Sequence, residues 1–209
     1  MQHLNTVLFD LDGVLVSSEE IHRTTLNSAL LDIANIEIPR EEYLEHFLHL
    51  YTTQKIQKLV DQQRLALEDA DDVYALKQAR TSVALKRDLH THLNPLALVE
   101  YLQQQGWNVA CVTGAVRKSA YIMLHHSKII SYMDLIVTRD DTERTKPDPE
   151  PYLKAMSLLK VAPYQCIIVE DEEKGIVSAK RSGCPHIWEI EGIHNTSIDG
   201  FKQFVQEIA

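Results

Sequence analysis

The sequence predicts an α/β fold, a doubly wound parallel sheet interrupted by an all-helical insertion, and three observations lead there. Short apolar runs stop abruptly at polar or acidic residues, as strands buried on both faces of a parallel sheet do: Val7-Leu8-Phe9 before Asp10, Val109-Ala110-Cys111-Val112 before Thr113, and Ile167-Ile168-Val169 before Glu170. From Asn94 onward such runs alternate with amphipathic stretches, the rhythm of strands joined by crossover helices. Between residues 18 and about 92 no strand signal appears, and apolar residues recur at spacings of three and four, as in Ile21, Thr25 and Ala29 or Ile56, Leu59 and Val60.

Each element follows from local chemistry. The first strand covers residues 5–9. The helical block breaks at Pro39-Arg40, near residues 51–53 and around residues 68–72, which divides it into four helices. Asn94-Pro95 offers a cap and a first-turn proline for a helix that runs to Gln105 and stops at Gly106. Strands are expected at 109–112, 134–137, 167–169 and 187–190, with helices at 116–126, 149–159 and 172–182. Asp148-Pro149 looks like a cap followed by a first-turn proline, and Gly183 suits a left-handed helix end. The domain reading is a core from 1–16 and 93–209 with the helical domain at 17–92.

Composition narrows the function. With 209 residues, 44% hydrophobic and 24% charged, the chain can bury a real core. A formal net charge of -9 repels polyanions, so neither nucleic acid nor an anionic membrane surface is an expected partner. Residues 1–9 show no basic segment ahead of the apolar run, and no run approaches spanning length, which suggests a cytoplasmic protein, a monomer or weak homodimer. Cys111, Cys166 and Cys184 sit in apolar surroundings and read as buried reduced thiols. The histidine pairs His90/His92 and His125/His126 lack partners at zinc spacing and read as surface residues.

In doubly wound sheets functional side chains gather beyond the carboxyl ends of the strands. Four clusters occupy such places: Asp10 and Asp12; Thr113 and Gly114; Lys146 ahead of Pro147-Asp148-Pro149; and Glu170 with Asp171. Four carboxylates in one poorly solvated cleft need compensating positive charge. A divalent ion and Lys146 leave a residual of about minus one, and oxygen ligands favour magnesium, with Asp10 and Asp171 as direct ligands.

Phe9-Asp10-Leu11-Asp12-Gly13-Val14-Leu15, then Thr113, then Lys146-Pro147-Asp148-Pro149, then Glu170-Asp171 resembles the haloacid dehalogenase superfamily, and Ser18-Glu19-Glu20-Ile21-His22 resembles the entry to the all-helical cap of its phosphoglucomutase-like branch. The resemblance implies a Rossmann-like core with a helical cap and a Mg2+-dependent phosphatase acting on a small phosphorylated metabolite. It makes Asp10 the nucleophile of an aspartyl-phosphate intermediate and a metal ligand, Asp12 the general acid and base with its backbone carbonyl on the metal, and Asp171 a further ligand. Thr113 and Gly114 would bind substrate, Lys146 would steady nucleophile and phosphate, Glu170 would reach the ion through water, and Gly13 would turn the chain sharply. An acid at position 12 disfavours the dehalogenase and phosphonatase branches.

Three positions depart from that pattern: Gly114 in place of Asn or Ser, Thr145 in place of Gly, and Glu172 in place of Ser. They motivate one alternative, a catalytically silent phosphate-binding module. The other alternative is a phosphomutase of the β-phosphoglucomutase type, against which residues 47–58 lack the Arg-plus-Ser sugar-phosphate signature. A solvated helix face accounts for Tyr51, Thr53, Lys55 and Arg117 as well as a substrate contact does.

Overall fold

Five strands form one parallel sheet: β1 (Thr6–Phe9), β2 (Asn108–Val112), β3 (Leu135–Val137), β4 (Cys166–Glu170) and β5 (His186–Glu189), in the order β3-β2-β1-β4-β5. The computed structural model describes residues 4–208, so the first three residues of the reading at 1–9 lie outside the described residues. β1 is central, pairing Leu8 with Ala110 on one side and Ile168 on the other. All four residues of β1 and all five of β4 are buried, including Thr6 and Glu170 at the ends of their apolar runs. Because the chain steps outward through β2 and β3 and then returns to the other side of β1, the strand order reverses at the strand that ends in Asp10.

The chain clusters into two compact units, one made of the segments up to Ser17 and from His90 on, the other Ser18–Leu89. In the sheet unit, α5 (Leu93–Gln104), α6 (Arg117–His126), α7 (Glu150–Leu159) and α8 (Glu173–Arg181) follow the expected rhythm, and α9 (Ile198–Glu207) ends the described chain. Its core joins Leu8, Ala110, Val112 and Ile168 of the sheet to Tyr152, Ala155 and Met156 of α7. Each fully buried Leu, Ile, Val or Met side chain there contributes about 1.5–3 kcal/mol.

The helical unit holds α1 (Glu19–Ala34), α2 (Arg40–His46), α3 (Thr52–Asp61) and α4 (Ala70–Asp88) around its own core of Leu26, Leu30, Tyr43, Phe47, Leu59 and Val73. Asn35 closes α1 in a left-handed conformation, its N–H reaching the carbonyls of Leu30 and Leu31. The hydroxyls of Thr25 on α1 and Thr81 on α4 meet at 2.9 Å, fully enclosed. Lys55 is not on a solvated face. It is buried, and its ammonium donates to the Tyr43 hydroxyl at 2.6 Å because its position on α3 points it inward with Ile56 and Leu59. Lys77 is also buried and donates to Nδ1 of His22 at 3.0 Å.

Two caps fall elsewhere than the sequence suggests. α5 starts two residues before Pro95, with His92 rather than Asn94 at its cap. α7 starts at Glu150 with Pro149 at its cap, although the Asp148 carboxylate still accepts the Glu150 N–H at 2.9 Å. Helix α9 carries no cap signal that the apolar pattern picked out, although Ser197 accepts the Gly200 N–H there. No described helix is long and apolar enough to cross a membrane, and the three cysteines are free and buried.

Candidate active site

The ends of β1, β2 and β4 and the loop before α7 bring the expected residues together inside the sheet unit. Asp10 leaves β1 with its N–H on the Val169 carbonyl at 3.0 Å. Lys146 reaches across from the loop after β3, and its ammonium donates to Asp10 Oδ1 at 2.6 Å, Glu170 Oε1 at 2.6 Å and the Val112 carbonyl at 2.8 Å. Residues 136 positions apart are thus joined by a partly buried ion pair whose lysine side chain is 3% exposed. Burial alone would push the lysine pKa down, but Asp10 and Glu170 overcome it and hold the ammonium well above its ordinary range.

The acids carry the opposite imbalance. Burial, then Asp10, pushes Glu170 up to about 7 against the pull of Lys146. Burial, then Asp10, Glu172, Glu170 and Asp12, pushes Asp171 up to about 8. One ammonium therefore does not neutralise the carboxylates around it. Asp171 Oδ1 is buried with no hydrogen-bond partner among the described residues, a costly state for a carboxylate. Asp10, Glu170 and Asp171 each offer an oxygen within 4.8 Å of the others. An orphaned carboxylate oxygen, an all-oxygen donor set and surplus negative charge together fit a hard cation. The Asp12 carboxylate is outside that group, though close enough to raise Asp171, and Glu170 is within it.

Two glycines make room for this packing. Gly13 has φ +84, and a Cβ built on it would lie 1.8 Å from Asp171 Oδ2. Its role is close approach to the Asp171 carboxylate as well as the turn closed by the Gly13 N–H to the Val16 carbonyl at 2.7 Å. A Cβ on Gly175, in the first turn of α8, would lie 2.1 Å from Glu170 Cδ. No sequence signal identified Gly175, because nothing local shows that a carboxylate will rest on it.

Thr113 is buried, and its Oγ1 accepts the Ala115 N–H at 3.0 Å, which leaves its own proton to donate. Gly114, half-buried, continues this turn. Thr145 is not among the residues with positive φ, so glycine is not required there, and the following Lys146–Pro147 peptide is cis. Glu172 turns to Lys174 at 2.7 Å. Arg117, more than half exposed, pairs with Asp141 at 2.6 Å.

An acid just after the central strand, a second acid two residues on, a lysine bridging to a third, and a fourth alongside thus lie together at the switch point of a doubly wound sheet. The chain belongs to the haloacid dehalogenase-like hydrolase family, which it matches over residues 7–188. It is similar to the pyrophosphatase PpaX of Bacillus cereus, 30% identical over 187 residues that span 86% of this chain and 80% of that protein. The PpaX of Bacillus mycoides is 29% identical over 202 residues, 90% of this chain and 86% of that protein. Among solved structures, CbbY from Rhodobacter sphaeroides in complex with phosphate covers 90% of this chain and 87% of its own at a TM-score of 0.77 and 22% identity. β-Phosphoglucomutase from Clostridium difficile covers 98% of both chains at a TM-score of 0.79 and 16% identity. At such identities the structures speak for the fold.

Proposed function

We propose that this hydrolase is a magnesium-dependent phosphatase that acts on a small phosphorylated metabolite through an aspartyl-phosphate on Asp10. The observation that carries the reading is the convergence of Asp10, Glu170 and Asp171, with Lys146 paired to Asp10 and Glu170 and an Asp171 oxygen left without a partner. Asp10, Asp171 and the Asp12 carbonyl would hold Mg2+, which would screen the charge that develops on the phosphoryl oxygens. Asp10 attacks phosphorus while the bond to the leaving oxygen breaks, and Asp12 gives that oxygen its proton. Water then attacks the same phosphorus, Asp12 takes the water's proton, and the bond to Asp10 breaks to release inorganic phosphate. Lys146, at 2.6 Å from Asp10, orients the nucleophile and offsets phosphate charge, and the free Thr113 proton is available to a phosphoryl oxygen. Substrate choice we assign to the helical unit, which the chain enters through the same connection that carries Asp10 and Asp12. A cytoplasmic setting goes with this reading, supported by the three free thiols.

The test is phosphate release from p-nitrophenyl phosphate and a metabolite panel headed by inorganic pyrophosphate, the substrate in the name of the PpaX relatives. Release should need Mg2+, stop with chelator, and fall by more than about 10³-fold in Asp10→Asn. An isomerised sugar phosphate in place of free phosphate would favour the mutase, and equal inertness of wild type and variant would favour a binding module.

A further inference from the structure

Glu170 is fixed from three directions, and one of them comes from a residue with no part in the chemistry so far. Tyr152, at the third position of α7, is fully buried in the sheet-unit core. Packing alone would be served by phenylalanine, since a buried phenol is costly unless its hydroxyl finds a partner. Its hydroxyl donates to Glu170 Oε1 at 2.5 Å, the same oxygen that accepts the Lys146 ammonium at 2.6 Å. The ring also lies beneath that ammonium, 4.8 Å from centroid to Nζ. On the remaining side, α8 passes so close at Gly175 that no side chain fits between helix and carboxylate. Glu170 cannot rotate without losing two charge-assisted bonds or striking backbone, and it is one of the three acids whose oxygens converge.

We infer that Tyr152 is a positioning residue of the acid cluster: by holding Glu170 Oε1 together with Lys146, it fixes the carboxylate arrangement that receives the cation. Groups that orient metal-binding acids typically govern affinity or activity by about 10- to 100-fold. The inference rests on the cation-dependent reading of the site.

The experiment is Mg2+ titration of the substrate-free protein by calorimetry, wild type against Tyr152→Phe, which keeps the ring and removes one oxygen. Mg2+ should bind about 10-fold more weakly to the variant. The Mg2+ concentration for half-maximal turnover of p-nitrophenyl phosphate should rise in step, with kcat lowered and KM nearly unchanged. In a Glu170→Gln background, the same Tyr152→Phe change should shift that midpoint far less, because the partner it acts through is already altered. Equal Mg2+ affinity in wild type and Tyr152→Phe would overturn the inference while leaving the phosphatase reading intact, as would an undiminished effect in the Glu170→Gln background. A wild-type protein that binds no Mg2+ would overturn both.

Discussion

The two units bury charge of opposite sign. At the strand ends Asp10, Glu170 and Asp171 converge, Lys146 pairs with the first two, and burial pushes Glu170 and Asp171 up. In the helical unit Lys55 and Lys77 lie buried near His22, and burial, then Lys77 and Lys55, holds the imidazole well below its ordinary value. The physics is the same, loss of water opposing the charged form, but the consequences differ. The helical unit answers by keeping His22 neutral: an ammonium can only donate, so Nδ1 is the acceptor from Lys77 and the ring proton sits on Nε2. In the acid cluster the raised Glu170 and Asp171 need a proton or a cation to offset their charge, and the orphaned Asp171 oxygen makes the site receptive to a cation.

The comparison breaks most directly at Lys146. In Lys146→Met the ammonium is gone while Asp10 and Glu170 remain, so unfolding free energy should drop by about 3–5 kcal/mol in chemical denaturation. An unchanged midpoint would mean that the acids do not depend on the lysine. Next comes Gly175→Ala, whose added carbon would displace Glu170 and lower stability by about 1–3 kcal/mol, with weaker Mg2+ binding in the same protein. Retained Mg2+ affinity there would show that the Glu170 position is not tightly set.

His22 sharpens the other half of the contrast. The folded state resists its protonation, so as pH falls below the ordinary histidine value the unfolded chain takes up the proton first. The full stability is present above that value and is lost on the way down, with a slope of up to about 1.4 kcal/mol per pH unit from this group. Denaturation curves between pH 7 and pH 5 should be shallower in pH for His22→Gln, and parallel curves would refute the assignment. The smallest effect belongs to Thr81→Val, which removes one hydroxyl from the pair with Thr25. Since Thr25 keeps the Ile21 carbonyl at 2.7 Å, the loss should be about 1 kcal/mol by thermal or chemical unfolding.

Much of this was legible before any coordinates. Val7-Leu8-Phe9 running into Asp10 identifies a strand delivering an acid, because burial on both faces selects apolar residues and the strand end selects against them. The same reasoning located Thr113, Glu170 and Asp171 at strand ends. Tyr152, Gly175 and the burial of Lys55 were not legible. A tyrosine in an apolar helix face reads as core, and a glycine in a first turn reads as helix weakness. A lysine among polar residues reads as surface until the partner that encloses it is known.

Local pattern by itself determined the alternation of strands and helices, the helical insertion and the acids at strand ends, since those depend on backbone propensity and on which face avoids water. Only the tertiary structure decided that β1 lies between β2 and β4, that Lys146 meets Asp10 and Glu170 at once, and that Gly13 and Gly175 give way to carboxylates. Those facts arise from contacts between residues far apart in the chain, where distance and desolvation, rather than the neighbouring letters, set the energy.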